Sequence, residues 1–396
     1  MRKKSFLLII IIFALPNINC EKSERSPSVK TETIDGIQHV YNTVEPAKGK
    51  ISLDVDEVLR IDPFEIDPEE PPLFQMAKKD DTGNLYLADS LNVKVYKLDS
   101  SGKLITQFLR KGQGPGEFPR FSDLQIAHNH VWIIGNWPMK IAKYTLDGEY
   151  INEWMFRTFR NFYLRTQVID EERFLTVSYR EGAENQGRTR VSTLINSNEE
   201  FLTQYYEDKN AGIFRIRTEQ EEGPAIASTS PLITADIHHV YDHNSGVIYV
   251  CNNREYKILS KNIDGTPRMV IHKAHKKIIL NEDKKESILQ LIAPRIPMEA
   301  KHKAKEQLPD TLNVILGISV LPEGYLAVKR ILGLESIEID VFDRAGHFIY
   351  TILPSAEIPD LRDVIILKNT IGVITELEEK NIFVEYRVKN MKGIFD

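Results

Sequence analysis

Apolar and polar positions along the chain alternate in short runs, and the runs recur. NLYLADSLNVKVYKLDSSGKLITQF (84–108), HVWIIGNWPMKIAKYTLDGEYINEW (130–154), IYVCNNREYKILSKNIDGTPRMVI (248–271) and YLAVKRILGLESIEIDVFDRAGHFIYTI (325–352) share one order. Each reads as an apolar strand, a polar break, an alternating strand, a tight turn and a third strand, because a period of two marks strands with one buried face. Residues 172–205 and 370–395 follow the same order more loosely. A further short strand precedes these three, as in FQMAKKDD (74–81), FSDLQIAHN (121–129), PLITADIHHVYD (231–242) and NVILGISVLPEG (313–324). The unit is therefore four strands, a to d, and it occurs six times.

The turn before each last strand serves as a ruler. It holds Gly102, Gly148, Gly265, Gly346 and Gly393, with Asn198 in the same slot of the third unit. A tight turn after Asp or Asn needs positive φ, which Gly and Asn tolerate. The steps are 46, 50, 67, 81 and 47 residues. Three of them match one blade of a propeller, about 40–50 residues. The expected fold is all-β, a six-bladed β-propeller with two insertions. The first, 208–231, is polar and lacks alternation. The second, 276–309, carries helical signals: Asn281 as N-cap, acids in the first turn, a stop at Pro294, and a charge-rich second helix with a solvated face that ends at Pro309. The sixth unit stops short of a fourth strand. KGKISLDVDEVLRI (48–61) alternates and is otherwise without a partner, so it is expected to supply the missing outer strand and close the ring.

The chain opens on a different pattern. MRKKSFLLIIIIFALPNINC has three basic residues, then an unbroken apolar run from Phe6 to Leu15, then Pro16. Ten residues are too few to span a bilayer, which takes roughly 20, but they suit the apolar core of a secretory signal peptide. The run leads to Cys20 and resembles a bacterial lipoprotein signal, in which the cysteine is lipidated and becomes the new N-terminus. Asn17 and Asn19 stand where that pattern has Leu and a small residue, and an ordinary signal peptide cut nearby is the alternative. The expected organisation is a signal peptide over 1–19, a lipidated N-terminus and tether over 20–47 and the propeller over 48–396. Residues 21–35 are polar and without aromatics, as a flexible tether would be.

Composition narrows the classes further. With 42% hydrophobic and 27% charged residues, wholesale disorder, collagen-like repeats and a multi-span membrane protein are excluded. The formal charge of −6 would become −9 on loss of residues 1–19, which carry three basic and no acidic groups. That balance argues against nucleic acid as a partner and against a basic membrane-surface patch. The membrane contact expected is the lipid alone. The two cysteines are Cys20 and Cys251. Cys251 lies in the apolar run VIYVC and reads as a buried thiol.

GNLYLADSLNVKVYKLDSSGKLITQFLRKGQGPGEF (83–118) closely resembles bacterial six-bladed β-propeller lipoproteins with NHL-like repeats, through Asp89, the Asp99–Gly102 turn and the GQGPGEF loop. The resemblance implies the six-bladed fold and a place in the cell envelope. It implies little about activity, since propellers host binding proteins, lyases and lactonases alike.

Candidate chemistry is sparse. Gly112, Gly114 and Gly116 lack the spacing and the following helix of a dinucleotide fingerprint, so they read as an inter-blade loop. Asp236, His238, His239, Asp242 and His243 are the densest histidine cluster; alternation puts Asp236 and His238 on one strand face and His239 on the other. His238 is the histidine that a metal-dependent reading would use. His272 and His275 flank Lys273 at a strand end and read as solvated. No nucleophile triad, zinc or calcium motif appears, so no catalytic residue, metal ligand or cofactor is assigned. In a propeller the b–c and d–a loops share one face, and both insertions rise there. That face carries Arg120, Asn136, Trp137, Arg180, Asn252, Arg254 and Arg330, with Arg157 and Arg160, a set suited to an anionic or carbohydrate-like ligand. The function expected is a lipid-anchored envelope module that binds such a ligand or an envelope protein. The alternatives are a metal-dependent enzyme of lyase or lactonase type and a docking scaffold.

Overall fold

The computed structural model describes residues 29–136, 139–156, 161–180, 189–209, 214–216, 226–228, 230–293, 298–362, 364–367, 369–377 and 380–391. Strands b and c of a blade read as continuous apolar runs because neighbouring blades cover both of their faces; Leu85–Asp89 is buried at every position. Blade 1 consists of Met76–Lys79, Leu85–Asp89, Lys94–Leu98 and Leu104–Phe108. Blade 2 is Asp123–Ala127, His130–Asn136, Met139–Tyr144 and Tyr150–Met155. Blade 3 is Asn161–Val168, Arg173–Arg180, Thr189–Asn196 and Phe201–Asp208. Blade 4 is Ile237–Asp242, Val247–Asn252, Lys257–Asn262 and Pro267–Lys273. Blade 5 is Ile315–Val320, Leu326–Ile331, Ile337–Phe342 and Phe348–Leu353. Blade 6 takes Val364–Leu367, Thr370–Leu377 and Lys380–Val388 from the C-terminal end and its outer strand, Val55–Ile61, from the other end of the chain.

That outer strand runs antiparallel to Lys380–Val388, from Phe383↔Ile61 to Val388↔Val55, so the ring closes as the alternation of 48–61 predicts. The rest of that run goes elsewhere: Lys50–Ser52 adds in parallel to the outer strand of blade 5. The tether expected over 20–47 is also shorter than the sequence suggests. Lys30–Ile34 and Ile37–Asn42 form a hairpin, and its second strand adds in parallel to the outer strand of blade 4. Polar composition hid the hairpin, because its strands lie at an edge and need no apolar alternation.

The turn glycines combine two demands. Gly102, Gly148, Gly265 and Gly346 have φ of 87°, 87°, 86° and 79°. Each also presses on the outer strand of the preceding blade: a Cβ on Gly148 would lie 2.3 Å from Phe108, and one on Gly346 2.9 Å from Met269. In blade 3 the positive-φ residue is Glu199 (φ 63°), whose N–H bonds Asn196 O as Gly102 N–H bonds Asp99 O; Asn198 is one position off. Gly393 and most of the 208–231 insertion fall outside the described residues.

The second insertion folds as two helices, Glu282–Ile292 and Met298–Gln307. Asn281 caps the first by accepting from Lys284 N–H. The second is less solvated than its charge suggests. Ala304 is buried with Ile288 and Leu289 in a cluster that reaches Ile337 of blade 5, while Lys301 and Lys305 reach Glu286 at 3.1 and 2.6 Å.

Candidate ligand site in the central channel

The a strands of adjacent blades pack against one another around the axis. Side chains two apart on a strand face the same way. Blades 2, 3 and 4 thus present Asp123, Arg165 and His239 at one level, and Gln125, Gln167 and Tyr241 at the next, where Lys78 of blade 1 joins them. Except for Tyr241, these residues, with Asn136, Thr166, His243 and Ile318, border a cavity of about 710 Å3.

Two of the polar groups are spent on the fold. Gln125 accepts from Val168 N–H (2.9 Å) and donates to Thr166 O (2.7 Å) on blade 3. Gln167 does the same to blade 4, accepting from Tyr241 N–H (2.8 Å) and donating to Tyr241 O (3.2 Å). A primary amide offers a donor and an acceptor side by side, so it pairs with a strand edge as another strand would. The glutamines staple a strands that splay too far for a ladder, and they make the wall rigid.

Asp236 organises the next layer. Its two oxygens take Arg165 Nη2 at 2.6 Å and Arg190 Nη1 at 2.7 Å. Arg190, 4% exposed, also donates to Ala235 O and to Tyr179 Oη, both at 2.5 Å. Burial alone would raise the Asp236 carboxyl, but Arg165, His238 and Arg190 hold it below its ordinary value. His238 and His239 are driven the other way: burial, aided by Arg165, takes both rings down to about 3, so they are neutral at physiological pH. Burial lifts the Asp123 carboxyl above its ordinary value against the pull of Lys78 and of bonds from Gln125 and Leu124 N–H. His239 Nδ1 lies 2.9 Å from Ser192 Oγ. That contact is no nucleophile and base, because Ser192 is fully buried and the ring is too weak a base.

The residues singled out from loop position scatter. Asn136 borders the cavity, with Nδ2 3.5 Å from Leu164 O and Oδ1 unpartnered. Arg120 is exposed. Trp137, Arg157 and Arg160 lie outside the described residues, as does the side chain of Arg180. Asn252 is buried and donates to Asp208, on which Arg254 Nη2 forks at 2.9 Å to each oxygen. Arg330 bonds Glu338 and, through Nε at 2.8 Å, Asp340. Arg254 and Arg330 serve ion pairs and Asn252 shares the Asp208 carboxylate, and loop position could not reveal these partners. His238 is buried with Nε2 unpartnered, and among the described residues no group of three or more His, Cys, Asp or Glu could hold a metal ion. Cys20 lies outside the described residues; Cys251 is fully buried and its thiol is pushed up to about 12.

The glycine-rich loop is filled by buried Lys140, which donates to Gly114 O (3.0 Å) and Glu117 O (2.9 Å) and pairs with Glu153 (2.7 Å). A loop that turns carbonyls onto a cation is the reverse of a phosphate cradle. His272 is half-buried rather than freely solvated: it stacks on Tyr41 of the N-terminal hairpin, centroids 4.5 Å apart, and meets His39 at 3.0 Å. The residues that loop reasoning missed, Lys78, Asp123, Arg165 and Thr166, all sit on a strands, as does His239 of the histidine cluster. Their signal was there, as charged or polar residues inside otherwise apolar strands such as DLQIA (123–127).

A family model described as 6-bladed beta-propeller matches residues 76–266. No curated protein sequence matches the chain. A solved structure from Bacteroides fragilis, of a protein assigned as exported, is 14% identical with a TM-score of 0.50 over 89% of this chain and 100% of that one. A gluconolactonase from Xanthomonas campestris is 10% identical with a TM-score of 0.42, over 87% and 99% of the two chains. Virginiamycin B lyase from Staphylococcus aureus is 12% identical with a TM-score of 0.40, over 86% and 90%. Identities this low speak to fold alone. Among the described residues no helix is long and apolar enough to cross a membrane. Strand order, ring closure and the family match agree that this chain is a six-bladed β-propeller.

Proposed function

We propose that this chain is an exported binding module that takes a small polar ligand in its central channel and is held at a membrane by a lipid on Cys20. One observation carries the binding reading: a cavity of about 710 Å3 bordered by side chains of several blades, on strands stapled by Gln125 and Gln167. Concave, pre-formed, polar-lined space at the axis of a rigid ring is where a ligand loses least freedom on binding. The signal-like N-terminus and the likeness of residues 83–118 to NHL-like propeller lipoproteins support the envelope location. For a metal-dependent lyase or lactonase reading, no group of three or more His, Cys, Asp or Glu that could hold a metal ion occurs among the described residues.

Two measurements test the proposal. The full chain, expressed in a bacterial host fed an alkyne-tagged fatty acid, should carry the tag and sediment with membranes, and Cys20→Ala should lose both. Label retained in that variant would remove the anchor. Thermal melts of the purified protein against small sugars, organic acids and nucleotides should reveal a class that raises Tm. A ligand that binds as well after Arg165→Gln and Thr166→Val would lie outside the channel.

A further inference from the structure

We infer that the channel is an oxyanion site: its ligand is a small organic anion whose carboxylate or phosphate is met by Lys78 and Arg165. The inference rests on the channel reading above and names the ligand class. It starts from charge. Asp236 gives one oxygen to Arg165 and one to Arg190, so a single carboxylate faces two guanidinium groups. Asp123 does not restore the balance. Its oxygens accept from Leu124 N–H (2.8 Å) and Gln125 Nε2 (2.7 Å), and it acts on Lys78 only from beyond ion-pair distance. Arg165 keeps 42% of its side chain exposed. The wall therefore has more positive than negative charge, in a concave space where charge acts more strongly than on an open surface.

A second observation is independent of charge. Thr166 borders the same cavity, is 6% exposed, and its Oγ1 has no hydrogen-bond partner. A buried hydroxyl left unpaired costs about 1–3 kcal/mol, and an anion oxygen can accept from it. Asn136 adds an amide with one end unpartnered. Across the cavity, blade 5 offers Ile318, which suits the carbon skeleton of an organic acid better than a bare inorganic ion.

The test uses the intact protein and calorimetric titration with glucuronate, glucose 6-phosphate, inorganic phosphate and uncharged glucose. Glucuronate or glucose 6-phosphate should bind more tightly than glucose and inorganic phosphate, and more weakly as salt is added. Which of the two binds distinguishes carboxylate from phosphate. Lys78→Met should weaken the binding anion about tenfold or more, and Thr166→Val, which keeps the shape, should weaken it several-fold. Both variants leave the Asp236 pairs intact, so their melts should stay near the parent's. Anion binding unchanged by both substitutions overturns the inference. Glucose that binds as tightly as the two acids, and is lost in Thr166→Val, overturns the oxyanion but keeps the channel. No binding by either acid also overturns it, and the neutral series then decides the channel reading separately.

Discussion

Lys273 ends the outer strand of blade 4 with its side chain 1% exposed, 3.3 Å from Asp340 Oδ2 and without a hydrogen bond. Its ammonium lies 4.5 Å from the ring centre of Phe348 and 5.0 Å from that of Tyr256. Burial pushes it below the ordinary lysine value against the pull of Asp340. Asp340 is the hub of this cluster, accepting from Tyr256 Oη at 2.6 Å, Arg330 Nε at 2.8 Å and Thr351 Oγ1 at 3.0 Å. One carboxylate thus serves two buried cations, and the two ends of the pair are unequal. Asp340→Ala strands Lys273 and leaves Arg330 with Glu338 alone, and should cost about 3–5 kcal/mol. Lys273→Met keeps the packing over both rings and leaves Asp340 with Arg330, so it should fall within about 1 kcal/mol of the parent or stabilise. Urea unfolding of both variants checks this; equal losses would remove Asp340 as the hub.

At the scale of elements, the N-terminal segment acts as a strap over three consecutive blades: the hairpin on blade 4, Lys50–Ser52 on blade 5 and Val55–Ile61 as the rim of blade 6. Strand edges attract foreign strands, and the strap covers two that blades 4 and 5 would otherwise present. Its rivet is Asn42, 5% exposed, which donates to Gly346 O (2.9 Å) and His272 O (3.1 Å) and accepts from Phe348 N–H (2.8 Å). One side chain joins the hairpin to both blades. Asn42→Ala should cost about 1–3 kcal/mol, because it leaves two carbonyls and an N–H without partners. The loss should be local: hydrogen exchange at Ile37–Asn42 should quicken while strand b of blade 1 keeps its protection. Unchanged exchange in the hairpin would mean that Asn42 does not hold it.

For the whole molecule, two histidines of blade 4, buried His238 and half-buried His239, set the response to acid. His238 and His239 ordinarily titrate near 6.5 and are held at about 3 in the fold. The unfolded rings take protons from about pH 6.5 downward, whereas the folded ones resist until about pH 3. Across that window the unfolded chain binds more protons, so stability is full above it and falls as pH falls. Asp236, held low, adds to the loss in the carboxylate range; Asp123, held high, opposes it there. Tm should be nearly flat from pH 8 to 7 and drop from about pH 6.5, before carboxylates titrate. A profile flat to pH 4 would mean the two rings are hydrated in the folded protein.

What the sequence determined by itself is what repeats. Alternation and the turn residues recur in every unit because each blade solves the same local problem, a four-stranded sheet covered on both faces by its neighbours. Hence the six blades, the slots of Gly102, Gly148, Gly265 and Gly346, the Asn281 cap and the closing strand were legible. Glu199 shows the limit: its slot was found one residue away, because Asn198 looked the better candidate for positive φ than a glutamate. What occurs once was decided by tertiary structure. Arg165 meets Asp236 across 71 residues, Asn42 meets Gly346 across 304 and Arg254 meets Asp208 across 46. No local pattern encodes such pairs, because the partners become neighbours only after the ring has closed. The same holds for the channel: Lys78, Asp123, Arg165 and Thr166 look like polar interruptions in three strands until the ring turns those strands toward a common axis.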